Sequence, residues 1–155
     1  MKSPNNTEIE RKFIVKYLPE SHGEGMVIKQ GYLSENEVTT RIRIGSGRAW
    51  ITVKGKTVGL SRPEFEYEIP LEDAEKMLSL FCPQKIEKTR YFINNHGHIW
   101  EVDIFEGCNE GLMLAELELN SEDESFEIPD WIGEEVSDDP RYRNSRLIKE
   151  PWPFQ

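Results

Sequence analysis

The opening run Thr7-Glu8-Ile9-Glu10-Arg11-Lys12-Phe13-Ile14-Val15 sets two carboxylates and an ammonium in alternation with apolar residues. Alternate side chains of an extended chain point to opposite faces. Glu8, Glu10 and Lys12 therefore share one face, while Ile9 and Phe13 lie on the other. Carboxylates beside an ammonium suit a divalent cation together with a phosphate. A solvated edge strand is the plain alternative for this run alone. The pattern recurs, however. Arg41 and Arg43, Lys54, then Glu64, Glu66 and Glu68, Lys88 and Arg90, Glu101 and Asp103, and Glu116 and Glu118 all sit opposite Ile, Phe, Val, Trp, Leu or Tyr. Arginine and lysine donate charge-assisted hydrogen bonds to phosphate oxygens, and clustered carboxylates hold Mg2+ or Mn2+. Six bases beside nine acids fit a metal–polyphosphate complex better than a bare anion or a bare metal.

These residues need strands to present them. The alternation predicts strands over 7–15, 26–33, 39–44, 50–56, 64–69, 85–93, 99–105 and 112–119. Gly45-Ser46-Gly47 and Asn94 to Gly97 read as hairpin turns, and 17–25, 59–63 and 107–111 as loops or turns. The period changes at Leu71-Glu-Asp-Ala-Glu-Lys-Met-Leu-Ser-Leu-Phe81. Leu71, Ala74, Leu78 and Phe81 fall on one helical face between Pro70 and Pro83. Ser121 to Glu124 reads as the capped start of a short helix, and Pro140 to Lys149 as a second basic helix. The result is a predominantly antiparallel α+β domain of seven or eight strands and two or three helices. It is either an open sheet with its charged face in water or a sheet closed into a barrel. Closure removes strand edges, and a charged lumen must then hold water, ions or a polyanion, because unpaired buried ions are costly.

The 155 residues suffice for a single domain, 1–155, with 1–6 and 151–155 expected as flexible tails. A net charge of -10 argues against broad binding to nucleic acid or anionic membrane. Acid concentrates in 122–139 and base in 41–56, which leaves room for a basic pocket in an acidic shell. Cys82 and Cys108 have no metal-ligand spacing and read as reduced thiols of a cytoplasmic protein. No signal peptide or membrane span is recognised. Tyr32 is expected to pack rather than to contact phosphate, Trp131 to anchor a core or a lid, and His22, His96 and His98 to face solvent. Gly45-x-Gly47 is no nucleotide loop, because no helix follows it. Arg141, Arg143 and Arg146 either reach a tunnel mouth or pair with acidic neighbours on a helix surface. The state, monomer or homodimer, is not written in the sequence.

Glu8-x-Glu10-x-Lys12 lies within EIERKF. It is followed in order by Arg41-Ile42-Arg43, the strand around Lys54, Glu64-Phe65-Glu66, Glu87-Lys88-Thr89-Arg90-Tyr91, Glu101-Val102-Asp103 and Glu116-Leu117-Glu118. Over roughly residues 7–148 this set resembles the CYTH superfamily, the triphosphate tunnel metalloenzymes. The closing run Trp131-Ile-Gly-Glu-Glu-Val136 and Arg141-Tyr-Arg-Asn144 is similar to that of small stand-alone bacterial members. The resemblance implies an eight-stranded antiparallel closed β-barrel, a tunnel with a charged lumen and a few short helices outside. It implies Mg2+ or Mn2+ dependence and a small polyphosphate substrate, gripped by Lys12, Arg41, Arg43, Lys54, Lys88 and Arg90. Glu8, Glu10, Glu116 and Glu118 are implied as metal ligands. Glu64, Glu66, Glu101 and Asp103 would complete a second metal site, orient water or position the bases. Catalysis is expected to rest on Glu8, Glu10, Lys12, Glu64 and Glu66. The implied reaction is hydrolysis of inorganic tripolyphosphate. Thiamine or nucleoside triphosphate hydrolysis, adenylate cyclisation and a binding module without turnover are the alternatives.

Overall fold

A computed structural model describes residues 6–154. Nine strands follow one another: β1 (Thr7–Val15), β2 (Met26–Glu35), β3 (Thr39–Gly45), β4 (Arg48–Lys54), β5 (Ser61–Ile69), β6 (Ile86–Asn95), β7 (His98–Phe105), β8 (Met113–Glu118) and β9 (Ile132–Glu135). Helix α1 (Leu71–Phe81) lies between β5 and β6, and the one-turn α2 (Asn144–Leu147) follows β9. Every strand pairing is antiparallel, in the order β5-β4-β3-β2-β6-β7-β8-β1-β9. A further pairing of Thr7–Ile9 with Ser61–Pro63 joins β1 to β5 and closes eight strands into a barrel. The ninth strand, β9, lies against the second half of β1, where Phe13 and Val15 pair with Glu135 and Ile132. Closure is the physical answer to the charged faces. Opposite charges pair inside at Lys12–Glu116, Lys54–Glu64 and Arg90–Asp103, and the apolar faces turn outward beneath helices and crossing chain.

Local sequence explains the hairpins. Ser46 and Gly47 have φ of 53° and 72°, and His96 and Gly97 have 52° and 88°. Two consecutive left-handed residues make the turn whose twist matches paired strands. Helix α1 covers β3 and β4: Ala74, Leu78 and Cys82 pack with Ile42 and Ala49. On the outer face of β1, β7 and β8, Phe13, Trp100, Val102, Ala115 and Leu117 form a second core with Trp131. Phe126 closes over Phe13 and Trp100 at ring separations of 6.2 and 5.9 Å. Trp131 is thus a core anchor, meeting Trp100 edge-on at 5.9 Å.

Four expectations change. Ser121 to Glu124 forms a turn and no helix. Glu124 still reaches back to the Asn120 N–H at 2.6 Å, as in a capping box. The chain then runs extended, with Phe126 packed into the aromatic core. The basic stretch 140–149 is helical only over Pro140–Tyr142, a 3-10 turn, and Asn144–Leu147. Strand β5 starts at Ser61, inside the expected loop 59–63, because β1 supplies a partner there. His22 and His98 are half-buried, not exposed: His22 stacks edge-on against Tyr91, and His98 lies 2.8 Å from Glu124.

The lumen is charged along most of its length and apolar at one end. Ile14, Ile86, Phe105 and Leu114 continue the inward alternation of Lys12, Lys88, Asp103 and Glu116. They pack with Val136 and Leu147, flanked by Tyr142, Ile148, Trp152 and Phe154. Trp152 and Phe154, expected in a tail, belong to this plug. Buried Asn109 ties it down, accepting from the Trp152 N–H at 2.8 Å and donating to the Leu147 carbonyl at 3.1 Å.

Candidate active site in the barrel lumen

Strand register decides which charges meet. Glu10 stands opposite Glu118 and Lys12 opposite Glu116 across β1 and β8. Lys54 stands opposite Glu64 and Thr52 opposite Glu66 across β4 and β5, and Arg90 opposite Asp103 across β6 and β7. A cavity of about 550 Å³ opens into this lumen, a volume in the range of small-molecule sites. Of the residues expected to act, Glu8, Glu10, Lys12, Arg41, Arg43, Lys54 and Glu116 line it. Tyr32 lines it too, contrary to the packing role expected of it, with its hydroxyl accepting from Gln30 at 3.1 Å. Glu64, Glu66, Lys88, Arg90, Glu101, Asp103 and Glu118 lie on the inward faces of their strands without lining this cavity.

The cations divide into two kinds. Arg90 grips Asp103 through two hydrogen bonds of 2.8 and 2.9 Å and also meets Glu101 at 3.3 Å. Lys88 meets the same Asp103 at 2.8 Å. Burial opposes every charge in this knot; mutual attraction still holds the Asp103 carboxyl below its usual range and the Arg90 guanidinium far above its own, whereas at Lys88 burial, with Arg90 and Arg43 nearby, outweighs Asp103 and pulls the ammonium down to about 7. Asp103 is saturated by cations. Arg43 is different. Its Nε donates to Gln30 at 2.8 Å, and among the described residues no carboxylate comes within ion-pair distance of it. Burial, with Arg41 and Arg90 nearby, pulls its guanidinium down to about 10. Arg41 has one long contact to Glu66, 3.4 Å, and its buried Nε has no hydrogen-bond partner. Two crowded arginines facing a cavity, one without a counter-ion, are a preformed anion site.

The carboxylates divide as well. Lys54 bridges Glu8 at 3.1 Å and Glu64 at 3.3 Å. Burial would raise the Glu8 carboxyl, yet Lys54 overrides it and holds it at about 2. Lys12 reaches Glu116 at 3.5 Å and donates to the Tyr142 carbonyl at 3.0 Å. Burial is outweighed at Glu116 too, where Lys12, Arg90 and Lys88 press its carboxyl well below the normal range. Glu10 moves the other way: burial, then Glu116 and Glu8, push it well above the normal range. Burial, together with nearby Glu8 and Glu101, also raises Glu118.

Among the described residues no three His, Cys, Asp or Glu side chains converge into a ready-made metal cage. The donor set nevertheless fits a hard divalent cation. Glu8, Glu10 and Glu116 are all-oxygen neighbours on adjoining strands, and the proton favoured on Glu10 marks excess negative charge that a cation would replace.

The expected site leaves out four lumen residues, although alternation puts Thr52 on the face of Lys54. Arg62 lines the cavity and donates to the Gly55 carbonyl at 3.1 Å. It precedes Glu64 in the same alternation, but Pro63 disguised the strand. Gln30 and Thr52 carry no charge to flag them, although they sit two residues from Tyr32 and Lys54. Asn144 lies outside any strand, beyond the reach of a two-residue period. At the mouth, Arg143 and Arg146 line the cavity, whereas Arg141 pairs with Asp139 at 2.6 Å.

The whole-chain comparisons agree with this geometry. The chain is 46% identical over 148 residues to an inorganic triphosphatase of Acetivibrio thermocellus, covering 94% of this chain and 95% of that protein. It is 38% identical over 146 residues to an inorganic triphosphatase of Nitrosomonas europaea, covering 91% and 96%. A crystal structure of an inorganic triphosphatase superposes with a TM-score of 0.68 at 34% identity, covering 91% of this chain and 93% of that one. The CYTH domain itself matches residues 6–147. Membership carries the implication of a divalent cation. With an eight-stranded barrel, a cation-lined lumen and a match over nearly its whole length, the chain belongs to the CYTH domain family.

Proposed function

We propose that this protein hydrolyses inorganic tripolyphosphate to pyrophosphate and phosphate, with Mg2+ or Mn2+. The observation that carries the reading is the pair Arg41 and Arg43, aimed at a cavity of about 550 Å³ beside the Glu8, Glu10 and Glu116 carboxylates. A pure anion binder gains nothing from carboxylates next to its ligand, and a pure metal site gains nothing from crowded arginines. A metal-complexed triphosphate satisfies both. The named activity of the two relatives supports the same substrate.

In this reading Arg41, Arg43, Lys12 and Lys54 hold the phosphate chain, and Arg62 and Arg143 meet its outer end. Glu8, Glu10 and Glu116, with Glu118 across the strand, hold the cation. When bound, the cation would offset phosphate charge and make attack by water easier. The arginines donate hydrogen bonds to the oxygens on which charge builds as the P–O bond breaks, so their fixed positions lower the barrier. Glu64 and Glu66 orient Lys54 and Arg41. Asp103 and Glu101 position Arg90 and Lys88. No helix among the described residues is long and apolar enough to cross a membrane. Cys82 and Cys108 are both free thiols, which supports a cytoplasmic setting.

The test is phosphate release from tripolyphosphate, ATP and thiamine triphosphate with Mg2+, with Mn2+ and with EDTA. The expected result is metal-dependent release, fastest on tripolyphosphate. Cyclic AMP with pyrophosphate from ATP, or tight binding of all three without release, would overturn it.

A further inference from the structure

Lys88 is fully buried, and among the described residues that line the cavity it does not appear. Its ammonium is covered on two sides, by Asp103 at 2.8 Å and by the Asn144 side-chain oxygen at 2.9 Å. Asn144 does line the cavity. The Lys88 Nζ donates to the Asn144 Oδ1, so the amide presents its oxygen to Lys88. This fixes the side chain end for end. The amide NH2 group points away from Lys88, and among the described residues its two N–H donors meet no hydrogen-bond acceptor. The same segment already enters the site, since Lys12 donates to the carbonyl of Tyr142. Asn109 anchors that segment from behind, through the Leu147 carbonyl.

We propose that Asn144 is a substrate-contacting residue, oriented by Lys88 and donating its amide N–H to a phosphate oxygen in the lumen. The inference rests on the tripolyphosphate reading of the site. Lys88 then acts on the substrate through Asn144, its hydrogen bond orienting and polarising the amide, while Asp103 holds Lys88 in place. Hydrogen bonding through a polarised, prepositioned donor is worth about ten- to a hundred-fold in binding or rate.

Two variants separate the contact with Lys88 from the contact with substrate. Asn144→Asp keeps an oxygen for Lys88 but has no N–H to donate, and Asn144→Ala loses both. Both are expected to raise the KM for tripolyphosphate about ten-fold or more, with Asn144→Asp melting no lower than the parent. The dissociation constant for tripolyphosphate in EDTA, read by calorimetry, should weaken in parallel. An Asn144→Asp protein with parental KM and parental affinity overturns the proposal, because the N–H donors would then be unused. Loss of activity in Asn144→Ala accompanied by a lower melting temperature, with Asn144→Asp fully active, assigns Asn144 a structural role and also overturns it. If the parent binds tripolyphosphate without hydrolysing it, the hydrolase reading fails, and the affinities alone still judge Asn144.

Discussion

At the scale of single residues, neighbouring arginines of one barrel have opposite energetics. Arg90 is neutralised by Asp103 and Glu101, so removing its partner strands buried cations. Asp103→Asn should cost about 3–5 kcal/mol of stability in urea unfolding. Among the described residues Arg43 has no such carboxylate, and it sits among other cations. Arg43→Met should leave the melting temperature unchanged or raise it, while increasing the KM for tripolyphosphate about ten-fold or more. A matching loss of stability would make Arg43 a structural residue. Glu10 supplies a third test. Burial beside Glu116 and Glu8 favours its protonated form, so a divalent cation binding there must displace that proton. Calorimetric titration with Mg2+ in buffers of different ionisation enthalpy should show release of up to about one proton, lost in Glu10→Gln.

At the scale of elements, packing on the outside of the barrel fixes the strands that aim the site. Helix α1 approaches β2 so closely at Gly31 that an added Cβ would lie 2.7 Å from the Cys82 Cβ and 2.9 Å from its Sγ. Gly31→Ala should destabilise by about 1–3 kcal/mol, and Cys82→Ala in the same chain should restore part of the loss. Equal melting of Gly31→Ala and the parent would show that α1 can move aside freely. The β4–β5 loop is held from outside too, where Glu122 accepts from the Leu60 N–H at 3.0 Å beside Gly59. Sequence placed α1 to the residue, because a 3.6-residue period between two prolines is a local property. It misplaced the helix at Ser121 because a capping pattern states only what a helix start needs. The aromatic core that draws in Phe126 was invisible to it.

At the scale of the whole molecule, the closed barrel couples stability to pH through its lumen. Glu8 titrates at about 2 when folded against an ordinary 4.5. Its contribution is therefore complete above pH 4.5 and is lost as pH falls towards 2. Glu10 has the opposite sign. Its raised value means the folded chain holds a proton that the unfolded chain has released, so its contribution falls as pH rises above 4.5. Melting temperature against pH should accordingly show an acid limb that flattens in Glu8→Gln. It should also show a decline on the alkaline side that Mg2+ abolishes, because the cation replaces the proton. A metal-insensitive alkaline decline would place the cation away from Glu10.

The sequence by itself determined which residues share a face. A two-residue period is written into every strand, so Glu8 with Lys12, Arg41 with Arg43 and Glu116 with Glu118 could be grouped before any fold was known. The resemblance carried by those groups supplied the closed barrel. Only the tertiary structure decided depth and partnership along that face. Closure depends on Thr7–Ile9 meeting Ser61–Pro63, residues more than fifty positions apart. Burial of Lys88 behind Asn144, saturation of Asp103 and the missing counter-ion of Arg43 follow from register across separate strands and from the C-terminal plug. Alternation assigns a side, whereas long-range pairing sets how far along the tunnel each charge lies and which charge it meets.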